Sequence, residues 1–215
     1  MIQAGGAGKK ALEKAFEDVL GEKDVWQDLN PDGRTDEWIF EELHIKRFGS
    51  AVPEALKKIL IESYIHHLSF ELPLSAHYRI LPYVTQILET LSKDPQNILG
   101  LATGNFEKAA YLKLQRGKLD HYFTFGGFGS DSVHRQELTK KALERACNKI
   151  GGDPEVVYVI GDTIYDIECG KGIGAKTVAV CTGGTSKEKL ANMNPTFLVD
   201  HVGVLLDMLN GEQIL

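Results

Sequence analysis

Asp162 and Asp166 carry the clearest chemical signal in the sequence. The run Val156-Val157-Tyr158-Val159-Ile160-Gly161-Asp162-Thr163-Ile164-Tyr165-Asp166 takes an apolar segment into a glycine and an aspartate, and a second aspartate follows four residues later. In open parallel sheets ligands bind beyond the carboxyl ends of strands, where Asp162 would sit. If a helix starts just after Asp162, the spacing brings both carboxylates to one side. Two carboxylates held close repel each other, which raises a pKa or calls for a cation between them. Mg²⁺ suits such a loop, because it takes one or two carboxylates together with waters and substrate phosphate. The same spacing also describes a helix N-cap at Asp162, with Asp166 facing the helix's positive end. Spacing alone leaves both readings open.

Those acids need a strand beneath them, and the surrounding pattern supplies one. From about Tyr78 onward, short apolar runs at 98–102, 122–125, 156–160 and 177–180, with a weaker one at 197–199, alternate with helical stretches. Runs of this length, flanked by glycine, read as buried parallel strands of an α/β domain. Val84, Ile87, Leu88 and Leu91 mark a helix ahead of them. Residues 1–77 read as helical throughout. Leu12, Ala15, Phe16, Val19 and Leu20 share one helix face. Ile39, Leu43 and Phe48 suggest a second helix after the turn Asn30-Pro31-Asp32-Gly33, and Leu56, Ile59, Leu60, Tyr64 and Leu68 trace a third from near Pro53. The expected architecture is a helical module, 1–77, followed by a parallel-sheet core, 78–215.

The chain has 215 residues, 43% hydrophobic and 25% charged, a globular mixture with room for a core domain and a small appendage. A net charge of -6, from 30 acids and 24 bases, argues against nucleic acid or an anionic membrane as the main partner. A local pocket for a small anion remains compatible with it. Cys147, Cys169 and Cys181 form an odd set without a CxxC pair, so the reading is a reducing cytosol without disulfides or structural zinc. Neither a signal peptide nor an apolar run near the ~20 residues of a membrane helix is visible. A soluble, cytoplasmic protein is expected.

Gly161-Asp162-Thr163 with Asp166, straight after an apolar strand, resembles the fourth motif of the haloacid-dehalogenase (HAD) superfamily. Leu99-Gly100-Leu101-Ala102-Thr103-Gly104-Asn105 resembles its second motif, a strand ending in a phosphate-binding Thr or Ser. Arg135, in Arg135-Gln136-Glu137-Leu138, stands where the third motif's lysine belongs, and some phosphatase members are similar in using arginine. Order and separation match across residues 79–200, glycine-rich Gly172-Ile173-Gly174-Ala175 included. The resemblance implies a Rossmann-like parallel-sheet core with a helical cap. It implies a Mg²⁺-dependent phosphomonoesterase for a small phosphorylated metabolite, phosphoglycolate-like.

By the same resemblance, Asp162 would hold Mg²⁺, with Asp166 a ligand or its neighbour, and Thr103, Gly104, Asn105 and Arg135 would hold phosphate. Thr103 offers a hydroxyl, and the loop after it backbone N–H groups, to phosphoryl oxygens. Arg135 brings a forked cation that needs more room than lysine. The helical module would be a mobile cap that excludes water. Gly33-Arg34-Thr35-Asp36 is similar to a cap segment of phosphoglycolate-phosphatase-like members, with helix N-capping by Thr35 or Asp36 as the plainer alternative.

Members of the superfamily use a nucleophilic aspartate in an Asp-x-Asp-Gly-Thr stretch at the end of their first strand. In relatives, the residues right after it resemble Ile2-Gln3-Ala4-Gly5-Gly6-Ala7-Gly8. No residue of this chain matches the nucleophile, and Asn30-Pro31-Asp32-Gly33-Arg34-Thr35 reads as a turn rather than a displaced copy. The expectation is therefore an N-terminally shortened sequence, inactive as it stands. The missing strand would lie between those of the second and fourth motifs, leaving unpaired backbone facing a gap and inviting strand exchange in a homodimer.

Gly5-Gly6-Ala7-Gly8-Lys9-Lys10 is no P-loop, since Gln3 falls at the first required glycine and Lys10 replaces Ser/Thr. Adjacent His66 and His67 diverge by about 100° on a helix and should not chelate one ion. Two other functions stay open: a non-catalytic phosphate- or metal-binding relative, and a metal-independent dehalogenase-type hydrolase, against which the Asp162/Asp166 pair counts.

Overall fold

Helix signals at the start of the chain give three packed helices. The computed structural model describes residues 1–26, 29–31 and 33–209, so Asp32 of the expected turn lies outside the described residues. A short strand β1 (Ile2–Gln3) leads into α1 (Ala7–Leu20), followed by α2 (Asp36–Phe48) and α3 (Glu54–Leu74). α2 shows why its sequence starts and stops there. Thr35 caps it, accepting from the Trp38 N–H, acids occupy its first turn, Lys46 and Arg47 its last, and Gly49 closes it in the left-handed conformation.

Phe16, Phe40, Leu43, Leu60, Tyr64 and Leu68 fill the core between the three helices. Phe40 meets Phe16, Tyr64 and Phe106 edge to face, with centroids 5.5–5.9 Å apart. Phe106 and Ala109 come from far along the chain yet belong to this same cluster. Ile59 and Phe48, expected on the inner faces, are exposed instead. Phe48 closes its stripe at the last turn of α2, and Ile59 is turned about 100° on α3 from Leu60, which with Tyr64 and Leu68 takes the buried face.

The second part begins with β2 (Arg79–Ile80), which pairs antiparallel with β1. It continues through α4 (Val84–Lys93), β3 (Leu101–Ala102), α5 (Glu107–Arg116), a 3₁₀ turn at Asp120–Tyr122, β4 (Gly126–Gly127) and α6 (Arg135–Ile150). Then come β5 (Tyr158–Gly161), α7 (Ile164–Gly172), β6 (Lys176–Val180), α8 (Lys187–Asn192), β7 (Phe197–Val199) and α9 (Val204–Leu209). β3 pairs parallel with β4, and β5, β6 and β7 form a separate parallel sheet in that order. This is the expected α/β alternation. No helix among the described residues is long and apolar enough to cross a membrane.

Two strand expectations change. The run 122–125 does not make the strand: the chain turns at Asp120–Tyr122, Phe123 is buried below, and the ladder forms one step later at Gly126–Gly127. The run 156–160 was expected to be buried on both faces, but β5 is the edge of its sheet, with Tyr158 51% and Ile160 43% exposed. β3 is likewise paired on one side only, which limits it to the two residues opposite β4. Among the described residues no strand joins β3 to β5. α6 ties the two sheets together, packing on β4 through the close approach of Gly127 to the Leu138 carbonyl and on α7 through Gln136 against Gly172.

Candidate active site

β5 ends at Gly161, and the chain enters α7 through a two-way cap. The Asp166 N–H donates to Thr163 Oγ1 at 3.3 Å, while Asp166 Oδ2 accepts from the Thr163 N–H at 3.0 Å and the Thr163 hydroxyl at 2.8 Å. The Asp162 N–H reaches the same oxygen at 3.2 Å. This is the capping box that a Thr followed three residues later by an acid can make. The other oxygen, Oδ1, accepts from Arg135 Nη2 at 2.6 Å. Asp166 thus spends both oxygens inside the protein, an arrangement compatible with the neighbour's role rather than the ligand's among the two expected for it.

Asp162 is placed differently. No side chain among the described residues donates to its carboxylate, and the backbone at Gly183 comes so near that a Cβ there would run into it. Burial and the charge of Asp166 push the Asp162 carboxyl above its ordinary value; the Met1 α-amino group, the Asp162 N–H and Arg135 pull the other way. A half-buried carboxylate whose burial outweighs the positive charge around it is the group in this region best suited to a small hard cation. No three His, Cys, Asp or Glu gather into a cage among the described residues. Mg²⁺ does not require one, because waters and a phosphate oxygen complete its shell.

Arg135 opens α6. One guanidinium nitrogen is committed to Asp166, while its buried Nε finds no partner among the described residues. An unsatisfied buried N–H is costly, and an anion would satisfy it.

Thr103 follows β3 and donates its own N–H to the Gly127 carbonyl at 2.9 Å. Its Oγ1 accepts from the Asn105 N–H at 3.2 Å, and the hydroxyl proton remains available to a ligand. Gly104 lies so close to Arg34 and Thr35 that a side chain there would strike their backbone.

Asn105, expected to position substrate, faces inward. Its Nδ2 donates to Asp36 Oδ1 at 3.2 Å, and its Oδ1 accepts from Lys113 Nζ at 2.9 Å. Asp36 and Lys113 are residues the sequence reading missed as partners of this loop. One signal was present: Phe106, Ala109, Ala110 and Lys113 fall at helical spacing on the covered face of α5, an unusual stripe for a lysine.

The segment 33–35 draws these pieces together. Gly33 packs against the Tyr165 ring, the Arg34 carbonyl against Gly104, and the Thr35 hydroxyl donates to the Val133 carbonyl at 3.3 Å. It therefore touches the loop after β3, the approach to α6 and the first turn of α7. Arg34 itself is exposed, its guanidinium 4.4 Å from the Trp38 ring and 5.9 Å from that of Tyr165.

The fold has counterparts among known proteins. The model of the family described as HAD-hydrolase-like matches residues 137–205, which include β5, Asp162 and Asp166. A solved structure from Haemophilus somnus, described as a predicted phosphoglycolate phosphatase, superposes with a TM-score of 0.69 over 99% of this chain and 93% of its own, at 19% identity. The likeness in sequence to HAD-hydrolase-like proteins covers residues 137–205, and the likeness in fold covers almost the whole chain. Among curated relatives, N-acetylmuramic acid 6-phosphate phosphatase of Pseudomonas aeruginosa is 38% identical over 81 residues, 37% of this chain and 36% of its own length. Pyrophosphatase PpaX of Anoxybacillus flavithermus is 29% identical over 111 residues, 52% of this chain and 51% of its own. The matched stretches span between 30% and 59% of the first curated relatives' lengths.

Proposed function

We propose that this HAD-like chain carries the site of a Mg²⁺-dependent phosphomonoester hydrolase for a small phosphorylated metabolite, phosphoglycolate-like in size and charge. The observation that carries the reading is the Asp162 carboxylate, without a side-chain donor among the described residues and backed by the Asp166–Arg135 pair at the end of β5. Curated relatives named for hydrolysis of pyrophosphate and of a sugar phosphate support it. Asp162 would hold Mg²⁺, which when bound offsets phosphate charge. Thr103 would donate its hydroxyl to a phosphate oxygen, and Arg135 would turn its unpaired Nε to the same group. Asp166 keeps Asp162 and Arg135 in place.

Residues 1–77 act in this reading as the cap over the 78–215 core, and Arg34 meets the far, non-reacting end of the substrate. The aspartate that attacks phosphorus and is later freed by water is matched to no residue here, so the chain alone is inactive. The setting is the cytoplasm. Hydrolysis of p-nitrophenyl phosphate with Mg²⁺, measured for this chain and for a form extended with a strand carrying Asp-x-Asp-Gly-Thr, tests the reading. Activity confined to the extended form supports it. Turnover by the chain alone refutes the account of the nucleophile, and none in either refutes the enzyme.

A further inference from the structure

A carboxylate, an amide and an ammonium lie in a row beneath the loop that ends in Phe106. Asp36 is buried at the first position of α2, and its carboxylate takes both its donors from the loop: Asn105 Nδ2 at 3.2 Å and the Phe106 N–H at 2.8 Å. Its own N–H returns a bond to the Gly104 carbonyl at 2.7 Å. Lys113 on α5 completes the row through Asn105 at 2.9 Å. Three consecutive loop residues are thus held by one side chain and its backbone, contributed by a helix about 70 positions earlier.

Charge explains why the row is complete. Burial alone pushes the Asp36 carboxyl up, and Lys113, the Phe106 N–H and Asn105 oppose it; burial pushes Lys113 down, and Asp36 opposes that. Each ion is the other's compensation, with the Asn105 amide between them. Removing one leaves the other covered and unbalanced, which costs far more than removing both. The Asn105 N–H meanwhile holds Thr103 Oγ1 at 3.2 Å, so the aim of the hydroxyl depends on where the row sets Asn105.

We propose that Asp36 and Lys113 are positioning residues that act through Asn105 to aim the Thr103 hydroxyl, locking helix α2 to the phosphate loop. The proposal rests on the functional reading above for the identity of the ligand, but not for the lock itself. Neither residue touches phosphate. The loop and α2 consequently move as one piece, and any motion of the helical module that frees α2 also disturbs Thr103.

Two measurements on the full chain separate the lock from the site. Amide hydrogen exchange reports the lock: in D36N the Phe106 and Asn105 amides should exchange about tenfold faster or more, with Ala179 in β6 unchanged as an internal control. Titration calorimetry with inorganic phosphate and Mg²⁺ reports the site. D36N and K113M should each weaken phosphate binding about tenfold, and the double variant D36N/K113M should recover part of that loss by removing both charges together. A general loss of stability would instead accelerate exchange at Ala179 as well. Unchanged exchange at Phe106 in a folded D36N overturns the lock. Phosphate affinity equal to wild type in both single variants overturns the positioning role. Absence of phosphate binding in the wild-type chain overturns that role together with the reading of the site, whereas fast exchange at Phe106 would still establish the lock.

Discussion

Arg135 Nη2 lies 2.6 Å from Asp166 Oδ1, a bond that joins the first turn of α6 to the first turn of α7 across 31 residues of chain. Both side chains are largely covered, so the pair is sheltered from solvent screening. R135M should destabilise the chain by about 2 kcal/mol, the cost of leaving a carboxylate without its charged donor. R135K should lose less, since an ammonium retains the charge but not the fork. Urea unfolding of the three proteins at neutral pH gives the order.

Asp162 and Asp166 should separate in their effects. D162N removes the open carboxylate and should abolish Mg²⁺ binding in calorimetry while leaving the unfolding midpoint nearly unchanged. D166N breaks the cap of α7 and the bond from Arg135, and should lower stability by about 1–3 kcal/mol. Retention of full Mg²⁺ affinity in D162N would remove Asp162 from the metal site.

Asp131 and Arg145 provide a pH-dependent clamp away from the site. Both Arg145 terminal nitrogens donate to the Asp131 carboxylate at 2.7 Å, and the Phe128 N–H adds a third bond at 2.9 Å. Burial opposes the charged form, but Arg145 and the Phe128 N–H outweigh it and hold the carboxyl below its ordinary value of 3.8. A carboxyl lowered in the folded state adds stability above its unfolded pKa and loses it as pH falls through the folded one. R145M should therefore cost about 1–2 kcal/mol at pH 7, and its stability should converge with wild type as pH drops below 3.8. Chemical denaturation at a series of pH values traces the convergence.

Extension of the chain by a strand that pairs with β5 should protect the outward amides of β5 from exchange and raise the melting temperature. Tyr158 and Ile160, now half in water, would lose most of that exposure. Unchanged exchange along β5 in an extended, folded protein would show that its open edge is not where the added strand lies.

The strand end at Gly161 and the helix start just after it are legible in the sequence because they are local matters, although the cap falls on Thr163 rather than on Asp162 as expected. Helices α1–α3 are legible for a similar reason: their apolar spacing is dense and their breaks carry glycine or proline. The fate of Asn105 is not. Its partner Asp36 lies 69 residues away, and nothing in Thr103-Gly104-Asn105 indicates whether the amide faces a ligand or a buried acid. Strand lengths fail on another ground. A run such as 156–160 states that it is apolar, but the length of its ladder and the exposure of Tyr158 depend on what lies alongside.

Phe106 stands at the N-cap of α5, yet its ring is wedged among Phe40 and Tyr64. Anyone exchanging the helical module of this protein for that of a relative would, on sequence grounds, cut near residue 77. Such a graft would bring in foreign helices without the aromatic plug they close upon. A viable hybrid has to transplant the first turns of α5 with the helices, or redesign the plug to suit the newcomer.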